Sequence, residues 1–191
     1  EFGSGDNFEG DRQVGGKNGY GAKLCGVFSE TYTVQTCNGN GLAFRKVARE
    51  NMSIMEDFET RHVDVKKSAY TMVSFKIDLK RFSVNGKKIK TVPRDTRFAI
   101  EQRIQDVANF MPDVKVLYGP DKTRIMPKSL KVQAKEALGK VLFTYEKENY
   151  FVSVGVRKEE EGSGCISYVN GTFNRFGGRH IQSVLSQLNW G

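Results

Sequence analysis

The sequence predicts an α+β protein in two units, and three observations carry that prediction. Strand-period alternation around Asn-Gly turns fills the first half, a helix-period apolar stripe over residues 95–110 opens the second, and short alternating runs then give way to a closing helix. A break near Pro93 separates the halves into residues 1–90 and residues 91–191.

Each element follows from local chemistry. Residues 1–17 are polar and glycine-rich, hence a loop, and residues 20–28 read as a short helix with Leu24, Val27 and Phe28 on one face. Residues 31–36 alternate as a strand, Asn38-Gly39-Asn40-Gly41 supplies turn residues, and residues 42–47 return as its hairpin partner. Residues 48–67 are polar and fit short strands or a loop, and residues 70–79 form a third strand. In the second unit Phe98, Ile100, Ile104, Val107, Ala108 and Phe110 mark a helix that ends at Met111-Pro112. Residues 114–118 read as a strand running into a Gly119-Pro120-Asp121 turn, and residues 129–138 as a helix. Residues 141–145, 150–156 and 165–169 alternate like strands of one antiparallel sheet, and residues 178–188 close the chain with a helix.

Composition narrows the class. An apolar share of 38% over 191 residues is enough for a core, and no apolar run approaches the roughly 20 residues that span a bilayer. With no charged-then-apolar leader either, the expectation is a protein without a membrane partner. The net charge of +8 suggests an anionic partner, either nucleic acid or a nucleotide, with local clusters at residues 87–90 and 122–131. Cys25, Cys37 and Cys165 are odd in number and widely spaced, which fits a reducing compartment and no zinc or disulfide framework. His62 and His180 are too far apart to suggest a metal site.

The densest chemical signal is Gly15-Gly16-Lys17-Asn18-Gly19-Tyr20-Gly21-Ala22-Lys23-Leu24. Glycines let successive N–H groups converge on an anion, and a following helix adds the positive end of its dipole. A Walker A loop is excluded because Ala22, not Lys, follows Gly21, and a dinucleotide fingerprint because Leu24 stands where its third glycine belongs. Glycine content alone fits a flexible loop before an amphipathic helix equally well.

Residues 15–29 resemble the ATP-lid signature of type II DNA topoisomerases, members of the GHKL ATPase superfamily. Two further blocks are similar to the same family in the same order. Residues 70–82, Tyr-Thr-Met-Val-Ser-Phe-Lys-Ile-Asp-Leu-Lys-Arg-Phe, resemble the strand that closes its ATPase domain. Ile166-Ser167-Tyr168-Val169-Asn170-Gly171 with Gly177-Gly178-Arg179-His180 resembles the signature of its transducer domain. The resemblance implies the C-terminal part of a GHKL-type ATPase α/β sandwich with its ATP lid, followed by the N-terminal part of a transducer with a ribosomal-protein-S5-like fold.

The resemblance also implies roles residue by residue. Gly16, Lys17, Asn18, Gly19, Tyr20, Gly21, Ala22 and Lys23 match the loop that wraps the ATP phosphates, with glycine amides as donors and Lys23 as the cation. Lys17 stands where many relatives have arginine, whose bidentate fork a lysine cannot make. Asn7 matches an asparagine that touches the nucleotide from upstream. Thr71 matches a threonine of the adenine pocket, although a strand threonine facing a core reads the same way. Arg179 and His180 look structural or interdomain.

In this family the glutamate base and the asparagine that holds Mg²⁺ precede the region matched here, and the lysine that senses the γ-phosphate follows it. The expectations are therefore ATP as ligand, a Mg²⁺ ligand outside these residues, no catalytic residue within them and no hydrolysis by them alone. In the intact enzyme the expected partners are double-stranded DNA, a second copy through the ATPase region and the remaining topoisomerase domains or subunits. The expected location is intracellular, in the nucleus, or in the host cell for a viral protein. A split or truncated module that binds DNA or a partner without ATP chemistry is the alternative. A mismatch-repair-type ATPase is a further rival, against which residues 166–180 argue.

Overall fold

In a computed structural model the structure describes residues 16, 18–57, 59–63, 69–156 and 164–188. They fall into two compact units that part between Arg94 and Asp95.

The first unit opens with α1 (Gly21–Val27) and a long antiparallel hairpin, β1 (Ser29–Cys37) and β2 (Leu42–Arg49). Its β-branched and aromatic residues, Thr31, Tyr32, Thr33 and Val34, suit the pleated ladder. Two short strands, β3 (Ile54–Met55) and β4 (Glu59–His62), pair with β2 at different points along it. The third long strand, β5 (Tyr70–Ile77), lies on the other side of β1, so the sheet order is β3-β2-β1-β5. Tyr32, Cys37, Ala43, Val47 and Ala48 form its buried centre. Asp78 then caps a 3-10 turn at Leu79–Arg81, its carboxylate accepting from Lys80 N–H at 3.2 Å. The hairpin β6 (Ser83–Val84) and β7 (Lys87–Lys88) ends the unit.

The second unit is arranged around α2 (Arg94–Phe110), which uses two faces. Glu101, Gln105 and Asn109, one turn apart, hold the hairpin of β8 (Leu117–Tyr118) and β9 (Thr123–Arg124) and the segment after it. Tyr118 OH donates to Glu101 at 3.2 Å, Gln105 Nε2 to the Met126 carbonyl at 3.0 Å, and Lys128 N–H to Asn109 Oδ1 at 2.7 Å. Ser129 caps α3 (Leu130–Ala137) through a bond from Val132 N–H, and the hairpin of β10 (Lys140–Lys147) and β11 (Tyr150–Val156) follows. The other face of α2 receives a last hairpin, β12 (Tyr168–Val169) and β13 (Thr172–Phe173). Tyr168 OH donates to Asp106 at 3.1 Å, its ring lies 5.1 Å from that of Phe110, and Arg103 bonds the Gly171 carbonyl. Burial first and the Asp106 carboxylate second push the Tyr168 phenol up to about 12. Ser167 shares a 2.6 Å hydrogen bond with His180 Nε2, which ties this hairpin to α4 (Arg179–Leu188).

Three expectations change. The strand at 114–118 shrinks to Leu117–Tyr118, which pair with Arg124 and Thr123, and beyond them a single bond from Ile125 N–H to the Val116 carbonyl at 3.0 Å is all that crosses the turn among the described residues. The run at 165–169 pairs within its own hairpin rather than joining β10 and β11, so three strands of one sheet become two separate ladders. The apolar stripe of α2 is not uniformly internal, since Ala108 is buried while Phe98 and Ile100 are exposed.

Candidate nucleotide-binding site

The loop before α1 is open to solvent. Gly16, Asn18, Gly19, Tyr20, Gly21 and Ala22 are exposed and Lys23 is half-buried. Gly19 lies at φ +64°, left-handed backbone that glycine adopts freely and that turns the chain into the helix. The first intrahelical bond runs from Leu24 N–H to the Tyr20 carbonyl at 2.8 Å, and no side chain caps the turn. The amides of Gly21 and Ala22 therefore stand among the donors a helix start leaves without intrahelical acceptors. A Cβ built on Gly16 or Gly21 meets no heavy atom within 4 Å, so the space beside both is open. Unhindered amides beside one lysine make a donor set that fits a polyphosphate. With seven residues α1 has a small dipole, and the fit rests on the amides and Lys23.

The far end of α1 is tightly seated. Gly26 is buried, and a Cβ there would come 2.4 Å from Met52 Sδ and 3.3 Å from Tyr32 Cγ. Met52 reaches it from a turn in which Glu50, Asn51 and Met52 all have positive φ, held by Asn51 N–H to the Ser29 carbonyl at 3.0 Å. Burial, then the neighbouring Cys25, raises the Tyr32 phenol above its ordinary value. Arg81 donates to the Val27 carbonyl at 3.2 Å and stacks over the Phe28 ring at 5.1 Å, while Phe82 packs on Phe28 at 5.4 Å. Sequence reasoning did not single out Arg81, which lies 54 residues from its partner.

The structure thus gathers Gly16, Asn18, Gly19, Tyr20, Gly21, Ala22 and Lys23 in one loop-to-helix turn, while Asn7 and Lys17 lie outside the described residues. Thr71 sits on β5 opposite Thr36, with the two hydroxyls 3.2 Å apart, and its side chain makes no hydrogen bond to the described residues of the loop. Among the described residues no three His, Cys, Asp or Glu side chains gather to hold a metal ion. No helix among them is long and apolar enough to cross a membrane.

Comparison with known proteins points one way. No family model matches the chain. It is 29% identical over 191 residues to chicken DNA topoisomerase 2-alpha, an alignment that takes in 95% of this chain and 12% of that protein. Two solved structures of the ATPase region of Saccharomyces cerevisiae topoisomerase II superpose over 98% of this chain, with TM-scores of 0.82 and 0.80 at 25% and 26% identity. The chain is similar to the ATPase region of type II topoisomerases. The α+β fold expected from that resemblance is the one observed. The chain spans about an eighth of the length of the curated topoisomerases it matches and about half of the solved ATPase-region chains.

Proposed function

We propose that these residues are the lid and transducer portion of the ATP-binding region of a type II DNA topoisomerase, where ATP binding and hydrolysis are coupled to passage of one DNA duplex through another. The observation that carries this is the open turn from Gly16 to Lys23, placed at the head of α1 in a chain that resembles topoisomerase ATPase regions almost end to end. In this reading the amides of Gly16 and of residues 18–22 bind the ATP phosphates, with Lys23 and Lys17 as cations, Asn7 closing the loop upstream and Thr71 bordering the adenine. Residues 1–90 then complete the nucleotide domain and residues 91–191 belong to the transducer.

ATP supplies the phosphoanhydride whose binding and cleavage drive the cycle. The residues described bind and orient it, and none of their carboxylates lies in the loop to activate water. By the family resemblance, hydrolysis and the Mg²⁺ ligand are assigned in this reading to groups outside these 191 residues. Double-stranded DNA, a second ATPase region and the remaining topoisomerase domains are the partners, and the nucleus, or a host cell, is the location.

The test is a nucleotide titration. Made in the intact enzyme, Lys23→Ala removes one charged hydrogen bond to phosphate and lowers ATP affinity by about 1.5–3 kcal/mol, roughly 10- to 150-fold. Unchanged affinity would rule out the phosphate assignment.

A further inference from the structure

The second unit carries its positive charge unevenly. Between Lys115 and Lys140 there are seven lysines and arginines against two carboxylates, Asp121 and Glu136. The hydrogen bonds from Tyr118, Gln105 and Lys128 pin this segment along one face of α2, so its cations stand on an ordered surface. At its end an open groove of about 500 Å³ runs between α3 and β10, lined by Lys131, Lys135 and Lys140 with Ala134, Val141 and Thr144. Lys131 and Lys135 share a helix face one turn apart. Glu146 pairs with Lys131 at 2.9 Å and Glu136 with Lys128 at 2.8 Å, whereas Lys135 and Lys140 have no carboxylate partner among the described residues.

We propose that this groove is a phosphate-binding contact for the backbone of duplex DNA, with Lys135 and Lys140 as its anchoring cations and Lys122 and Arg124 extending the contact along the hairpin. The occupant follows from charge and shape. Two lysines without a carboxylate partner among the described residues line an open floor, which suits an anion that stays partly in water. The lining has no aromatic ring, so it offers nothing on which an unpaired base could stack, and recognition is by backbone rather than by sequence. The choice of DNA over another polyanion rests on the proposed topoisomerase reading.

The experiment measures binding of the full chain to a labelled duplex by fluorescence anisotropy between about 50 and 200 mM salt. Loss of two phosphate contacts in Lys135→Gln/Lys140→Gln lowers the slope of log K against log salt by about 1.8, and affinity at the low-salt end falls on the order of 100-fold. Lys135→Gln alone lowers the slope by about half as much. Both lysines are exposed and have no carboxylate partner among the described residues, so melting temperatures should match wild type. Lys87→Gln/Lys88→Gln, an equal charge change in the first unit, leaves the slope unchanged. Equal losses in both double variants, no loss in either, or no duplex binding by wild type overturns the proposal. So does polyglutamate that competes as well as duplex and loses affinity in the same variants, which would make the partner an acidic polypeptide. An ATP titration of the intact enzyme separates the two readings: ATP affinity unchanged by Lys23→Ala, with duplex binding by the full chain still weakened in Lys135→Gln/Lys140→Gln, refutes the nucleotide assignment and leaves the groove standing.

Discussion

Replacing Gly19 by alanine tests whether the loop geometry matters to the ligand. Gly19 lies at φ +64°, where a residue with a Cβ is destabilised by about 1–2 kcal/mol. The residues on both sides of it are exposed, so the free protein can relax the turn and its melting temperature should barely change. In the proposed reading ATP binding by the intact enzyme requires the turned form, and the penalty then appears as affinity. At 1.4 kcal/mol per tenfold, Gly19→Ala weakens ATP binding roughly 5- to 30-fold. Gly19→Asn should lose less, because asparagine tolerates the left-handed region better than other side-chain-bearing residues. Gly21→Ala is the internal comparison. Its new Cβ meets nothing within 4 Å, and alanine in a helix gains up to about 1 kcal/mol over glycine, so this variant should melt higher. Calorimetric titration with a non-hydrolysable ATP analogue, alongside thermal denaturation, reads both effects. Gly19→Ala binding within twofold of wild type would refute the reasoning.

Two further outcomes concern the second unit. Gly155→Ala places a Cβ 2.3 Å from the Lys140 carbonyl oxygen, a backbone atom that cannot step aside without disturbing the β10–β11 ladder. Overpacking of this kind costs about 1–3 kcal/mol, and the 0.5–1 kcal/mol that alanine gains over glycine in a strand offsets only part of it, so urea denaturation should show a clear loss. For Tyr168 the phenol is raised from 10.0 to about 12, so the fold favours its neutral form. That stability is complete below pH 10 and is lost as pH rises toward 12, because the unfolded chain ionises first. Ultraviolet difference titration should show late-titrating phenols, one fewer in Tyr168→Phe, and an unaltered late phase in that variant would count against the Asp106 contact.

The long hairpin, β5 and α1 were legible because each rests on local signals: alternation, an Asn-Gly turn, or an apolar face that follows a glycine-rich loop. Two other hairpins carried the same signal and were not read from it. Asn85-Gly86 at φ +51° and +75°, and Asn170-Gly171 at φ +50° and +68°, are two-residue turns of the kind that Asn-Gly favours, but the strands they join are only two residues long. Alternation needs about four residues to register, so these turns passed without a pattern on either side. Burial was less legible still. The alternation in β5 correctly places Val73 and Phe75 on one face and Tyr70 and Met72 on the other, yet all four are exposed. A sequence states which side chains share a face; what covers that face depends on packing that the period does not encode.

The candidate site divides along the same line. The glycines and Lys23 declare themselves by composition, since a phosphate cradle is made of neighbouring residues. The seat of that cradle does not, because it is made by residues distant in sequence. Arg81 holds the Val27 carbonyl and the Phe28 ring, Phe82 packs on the same ring, and Asp78 N–H donates to the Phe28 carbonyl at 2.9 Å. All three partners lie just after the end of β5, and all converge on Val27, the last residue of α1, and on Phe28, the one residue between α1 and β1. Met52 meanwhile fills the space that Gly26 leaves open. One end of α1 is therefore fixed to the sheet by a charged hydrogen bond, a cation–π contact and an aromatic pair, while the other carries an open glycine turn.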